Sequence, residues 1–374
     1  MTGCRGDEKN AAQVTPEVLE EYFSRLFSAG VEVGKISPLG SPEKGPSLFK
    51  GYGYGTPLRI DLLVDSAPRT VVLSTVRPGG FGHQRMSDRA ALLLWQYRGY
   101  NSLPGHVKAL DVGGFTPEGL QSAGGITEFF LVTEFVEGRE YARDLDFIGA
   151  RGRAGETDIQ RAEALAAYLA DIHREKLGDP GIYERRTREL VGHNECLMGL
   201  TDSYPSDHVR ATPAFLMDIE KRCIDWRWRL KRLSHRLSRI HGDFHPFNIL
   251  FREGTDFTIL DRSRGHHGEP ADDLAALSIN YLFWGLLHQG AFREPFKDIW
   301  NVFFRTYLEK SGDEEILEVV PPYFTWRALV VASPVWYPDT EPKIRSSLLN
   351  LARNVLELRR FDPLAVEPLL EGRP

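Results

Sequence analysis

The feature that most constrains this chain is a change of hydrophobic period part-way along it. Residues 31 to 76 carry four β-like runs, VEVGKISPL, PSLFKG, TPLRIDLLVD and RTVVLSTV, each bounded by Gly, Pro or Ser. A glycine-rich turn, RPGGFGHQ, leads into DRAALLLWQY (88–97), which reads as a helix, and two further β-like runs lie around VKALDVGGF and EFFLVTEFV (128–136). Beyond residue 150 the period becomes helical, as in RAEALAAYLADIHREK (161–176), most of 213–238 and the last hundred residues. The only later β-like pieces flank HGDFHPFNILF (241–251). Runs of strands followed by runs of helices make an α+β chain. We expect a flexible tail over 1–14, a small β-rich N-terminal lobe over 15–136 and a larger helical C-terminal lobe over 137–374. The first helix should start at Pro16, with Thr15 as its N-cap.

Composition narrows the function classes. A chain of 374 residues is long for one core and suits two lobes. A net charge of −6 and a pI near 6.0 give no electrostatic reason for nucleic acid or an anionic membrane as partner. Three widely separated cysteines, Cys4, Cys196 and Cys223, form neither a disulfide framework nor a zinc site. The start lacks the apolar segment of a signal peptide, and LSINYLFWGLL (277–287) is too short for a membrane span, so we expect a cytoplasmic protein. The basic, Trp-containing stretch 221–239 reads as a helix with Leu230, Leu233 and Leu237 on one stripe and arginines facing solvent. Neither nucleic acid nor a membrane is therefore expected as a partner, and the sequence is silent on oligomeric state.

HGDFHPFN places an Asp two residues after a His and an Asn five further on. Phosphoryl transfer to a hydroxyl explains those residue types. A carboxylate must orient the hydroxyl and accept its proton, which suits Asp243. Mg²⁺ bridging phosphates takes hard oxygens, which suits Asn248 and Asp261, the latter at the end of the β-like FTIL. A hairpin after Asn248 would bring Asp261 back beside it. His241 joins the catalytic set as a brace of the loop. The histidines 241, 245, 266 and 267 with the two Asp could instead hold a metal pair, but no Asp-x-His lies on a first strand to complete one.

HGDFHPFN, LDRS (260–263) and GEPADDLAAL (268–277) together resemble the aminoglycoside phosphotransferase and choline kinase-like family, relatives of protein kinases. The resemblance covers roughly residues 30 to 280 and implies a protein kinase-like two-lobed fold that uses ATP and Mg²⁺ to phosphorylate a small-molecule hydroxyl. His245, where protein kinases carry Lys, is typical of the small-molecule branch. The resemblance puts the phosphate-covering turn at KGYGYGT, with Gly51, Tyr52, Gly53 and Gly55, although a plain tight hairpin needs the same glycines. It puts the adenine-facing hinge at Glu134, Phe135 and Val136. Asp273 stands where the family braces its loop, or is an ordinary N-cap.

One position departs from the family. On RTVVLSTV, Ser74 falls where such kinases carry the lysine that holds the α- and β-phosphates. Arg77 or Lys50 would then supply the charge, with Asp88 as the acid on the following helix; otherwise the chain is a nucleotide-binding pseudokinase or scaffold. The tract 323–338, YFTWRALVVASPVWYP, reads as lobe packing rather than an aromatic substrate wall. Arg262, Arg264, His266 and His267 near the motif, against Glu269 and Asp272, tilt the acceptor toward a neutral or anionic metabolite.

Overall fold

The computed structural model describes residues 14–39, 55, 57–77, 83, 86–116, 119–121 and 128–372, with the backbone alone at 87, 88, 128 and 129. Two compact units emerge. The smaller holds the described residues through Glu137 together with Thr258–Ser263, and the larger holds Gly138–Phe257 and the chain from Arg264 onward.

The smaller unit begins with α1 (Pro16–Phe27), whose N-cap Thr15 accepts a hydrogen bond from the Val18 N–H. Its strands are β1 (Val31–Pro38), β2 (Leu58–Val64), β3 (Ala67–Thr75), β4 (Ala109–Thr116), β5 (Gly119–Gln121) and β6 (Glu128–Glu134), with α2 (Met86–Ser102) between β3 and β4. They form one antiparallel sheet in the order β1-β2-β3-β6-β4-β5. Alternation along each strand sends residues to opposite faces. Ile60, Leu62, Val71, Leu73, Phe130 and Val132 pack with Leu19, Tyr22 and Phe23 of α1. Leu131 points the other way, into a cluster with Leu93 and Tyr100 of α2.

The larger unit is helical: α3 (Tyr141–Arg151), α4 (Glu156–His173), α5 (Pro180–Gly192), α6 (Leu197–Thr201), α7 (Pro213–Leu230), α8 (Ala271–Gln289), α9 (Phe296–Ser311), α10 (Ile316–Val319), α11 (Pro321–Ala332) and α12 (Pro342–Asn354). Every residue of α8 from Ala271 to Leu286 is buried, so neighbours cover this stretch on every face, and most of its residues are apolar to match. That explains the hydrophobic tract at 277–287, and no helix among the described residues is long and apolar enough to cross a membrane. Short strands flank the HGDFHPFN segment: β7 (Arg139–Glu140) pairs with β9 (Ile249–Phe251), and β8 (Ser238–Arg239) pairs with β11 (His267–Gly268). After β9, the Arg252 N–H bonds the Asp256 carbonyl, and β10 (Phe257–Ile259) carries the chain into the smaller unit.

Most of 213–238 is helical as expected, but the helix ends at Leu230, so Leu233 and Leu237 do not extend its stripe. Past that point the bonds are i to i+3, from Leu233 N–H to the Leu230 carbonyl and from Arg236 N–H to the Leu233 carbonyl. Arg236, 2% exposed, is drawn into ion pairs with Glu269 and Asp313, and this tertiary demand overrides the local period.

Candidate active site

The loop 240–248 runs between β8 and β9 and is tied down from two helices. Asp273, in the first turn of α8, accepts the backbone N–H of His241 through Oδ2 at 2.8 Å and that of Gly242 through Oδ1 at 2.7 Å. His173, the last residue of α4, reaches Asp273 Oδ2 at 3.1 Å through Nε2 and the Tyr307 hydroxyl at 2.9 Å through Nδ1. Asp273 therefore braces the loop and does not cap α8, which has no side-chain cap. Burial pushes the Asp273 carboxyl up, but His173 and His241 outweigh it and hold the group below its ordinary value. Gly242 has φ +88°, a left-handed conformation, and an added Cβ would lie 3.1 Å from the Arg264 Cβ, so glycine is required there. His241 is fully buried, and its Nδ1 accepts the Asp243 N–H at 3.3 Å.

Asp243 is the group this scaffold presents, with 14% of its side chain exposed. Arg327 Nη1 donates to Oδ1 at 2.8 Å, Arg264 Nε lies 3.8 Å from the same oxygen, and His245 Nε2 lies 3.5 Å from Oδ2. Burial would raise this carboxyl, yet Arg264, His245 and Arg327 together hold it well below the usual carboxylate range. It is ionised at neutral pH. Asn248 sits in the short 3₁₀ turn Pro246–Asn248 and donates its amide N–H to the Asp243 carbonyl at 3.0 Å, so the other end of that amide is an acceptor oxygen.

The other expected residues fall in the smaller unit or outside the described chain. Asp261 has φ +55° and accepts from Gln96 Nε2 of α2 at 3.4 Å. Ser74 stands opposite Leu131 in register and so shares the face of the sheet that meets α2. Arg77 is exposed. The Glu134 N–H is bonded to the Lys108 carbonyl at 3.0 Å, Phe135 lies under Arg59 at 4.4 Å, and Val136 is half-buried against the α2 cluster. Gly55 approaches β3 closely: an added Cβ would meet the Thr75 carbonyl oxygen at 2.1 Å. Gly51, Tyr52, Gly53 and Lys50 lie outside the described residues, as does the side chain of Asp88.

Reasoning from sequence passed over Arg327. It was absorbed into a tract read as packing, although it is the lone charged residue of PPYFTWRALVVA, and a buried charge requires a partner. The charges expected near an acceptor also sort differently from their order in the chain. Arg262 is 1% exposed and bonds the Gly99 carbonyl and the Ser102 hydroxyl. Glu269 is held by Arg236 and Tyr183, and Asp272 by Arg327. Among the described residues no group of three or more His, Cys, Asp or Glu side chains is arranged to hold a metal.

The profile of the phosphotransferase enzyme family matches residues 101–309, a segment that contains the whole of this loop and its Asp273 brace. The chain belongs to that family. Its members are phosphotransferases, and the fold agrees: the chain is similar to the amicoumacin kinase hAmiN, solved in complex with AMP-PNP, Ca²⁺ and Ami. That likeness has a TM-score of 0.56 at 14% identity and covers 96% of this chain and 98% of that one. The choline kinase LicA from Streptococcus pneumoniae (TM-score 0.47, 14% identity, 91% of this chain and 98% of that one) and an ethanolamine kinase from Plasmodium vivax (0.46, 12%, 90% and 80%) are also similar. None of the curated proteins matches the chain in sequence. The family places this chain among small-molecule phosphotransferases with a protein kinase-like α+β fold.

Proposed function

We propose that this protein moves the γ-phosphate of ATP to a hydroxyl of a small molecule in the cytoplasm, with Asp243 as the base. The observation that carries the reading is the state of Asp243: ionised, partly exposed, and held on a loop whose backbone Asp273 fixes through two N–H groups. A carboxylate held this far below its ordinary value is a weak base toward a free hydroxyl. It acts by orienting the acceptor O–H through a hydrogen bond and taking the proton late, as the hydroxyl loses electron density to phosphorus. His241, buried and bonded to the Asp243 N–H, keeps the loop shape and meets no substrate.

Asn248 and Asp261 would hold Mg²⁺. The donor set fits, since both offer the hard oxygens this ion prefers, and Asn248 has already committed its nitrogen. When bound, Mg²⁺ neutralises charge on the phosphate oxygens. Gly51, Tyr52, Gly53 and Gly55 would cover the phosphates. The backbone around Glu134, Phe135 and Val136 would face adenine, with the Glu134 N–H bonded to the Lys108 carbonyl. The ATP analogue in the amicoumacin kinase structure fits this choice of donor. Arg264 beside Asp243, with Glu269 and Asp272 already neutralised, supports an acceptor that is neutral or anionic rather than a polycation.

Ser74 favours a second reading, a nucleotide-binding pseudokinase. In an active enzyme Arg77 or Lys50 already supplies the phosphate cation, so Ser74→Lys should change Mg·ATP affinity by less than about threefold in titration calorimetry. A gain of about tenfold or more would mean that the site lacks its charge, and would favour the pseudokinase.

A further inference from the structure

Arg327 lies on α11, outside the segment matched by the family profile, and is 5% exposed. Its Nη1 donates to Asp243 Oδ1 at 2.8 Å, and its Nη2 donates to Asp272 Oδ1 at 2.7 Å and to the Gly242 carbonyl at 3.2 Å. Its guanidinium also lies 4.0 Å from the centre of the Trp326 ring. A planar fork satisfied on both prongs fixes direction as well as distance, which a point charge on a flexible stem does not. Arg327 Nη1 therefore fixes Oδ1 of Asp243, while Oδ2, which faces His245 Nε2 at 3.5 Å, keeps lone-pair capacity to accept from a hydroxyl as well.

We infer that Arg327 is a positioning residue of the phosphotransfer reaction, holding the Asp243 carboxylate so that Oδ2 meets the acceptor hydroxyl. The inference rests on reading Asp243 as the base. The competing account is that Arg327 only neutralises two carboxylates in the core. The two accounts part on where the Asp243 side chain goes, and on which kinetic constant moves, when the fork is removed.

The experiment pairs crystal structures of the wild-type chain, Arg327→Met and Arg327→Lys with the rate at which each hydrolyses Mg·ATP, water standing in for the acceptor. In Arg327→Met the Asp243 carboxylate should leave its wild-type position. Its kcat should fall about 10²-fold, the scale of a misplaced reacting group, with the KM for ATP held within about twofold. Arg327→Lys, which keeps the charge without the fork, should lie between the two. An unmoved Asp243 in Arg327→Met, an unchanged kcat, or a loss confined to KM would overturn the inference. Should the Met variant not fold, the Lys variant decides: a wild-type kcat there overturns the inference, and an intermediate one supports it. Absence of hydrolysis in the wild-type chain would count against the phosphotransfer reading itself. The Asp243 position in the variants would then judge Arg327 alone, an unmoved carboxylate overturning it.

Discussion

Asp243→Asn is expected to lower the turnover of phosphate transfer by about 10²- to 10⁴-fold, the usual contribution of a positioned general base. Nucleotide affinity should stay within about twofold, because Asp243 belongs to the acceptor side of the reaction and not to the nucleotide. The variant should fold. The amide it introduces keeps a side-chain oxygen for Arg327 Nη1, and Arg327 keeps its bond to Asp272. Turnover by coupled assay, nucleotide affinity by calorimetry and a melting curve check the three statements. Retained turnover, or lost ATP binding in a folded variant, would contradict the role assigned to Asp243.

The second large effect concerns Asp273, whose side chain is fully buried and whose two oxygens accept from His241 N–H, Gly242 N–H and His173. Asp273→Asn puts an NH₂ donor where one of those oxygens faces a backbone donor. Two donors then oppose each other in a dry site, and the loss of stability should be about 3 kcal/mol. Turnover should fall with it, because the loop that carries Asp243 loses its anchor. The pH dependence has a definite sign. The folded-state value of Asp273 lies below its ordinary one, so its ionisation stabilises the fold above about pH 4 and that contribution is lost as pH falls through the lower, folded value. Denaturant midpoints from pH 7 down to pH 3 should therefore show the gap between wild type and Asp273→Asn narrowing on the acid side. A gap that is constant across that range would mean that Asp273 braces the loop without its charge.

Much of this site could be read along the chain because its parts are local. His241, Asp243 and Asn248 fall within eight residues of one another, and the short strands on either side fix the turn that presents them. Strands β1, β2, β3, β4 and β6 were legible for a similar reason: a period of two, interrupted by glycine, proline or serine, leaves few other conformations, whereas the run PSLFKG lies outside the described residues. Arg327 was not legible as part of the site. It lies 84 residues from Asp243, and no local pattern encodes a contact at that separation. The stripe of Leu230, Leu233 and Leu237 is broken by the same kind of long-range effect, since Arg236, expected to face solvent, is buried against Glu269 and Asp313. The acceptor-side charges are a third instance. Proximity in sequence grouped Arg262 with Arg264, but Arg262 is consumed by Gly99 and Ser102 while Arg264 borders Asp243. Local order shows which chemistry is present; the identity of each charge's partner is decided in three dimensions.

The most direct test of the central claim is thermal unfolding with ATP, with Mg²⁺, with both and with neither. A ligand at 100 times its dissociation constant stabilises the folded state by about 2.7 kcal/mol. A site that takes Mg·ATP should therefore raise the melting temperature by several degrees only when both are present. No shift at millimolar Mg·ATP would contradict the account.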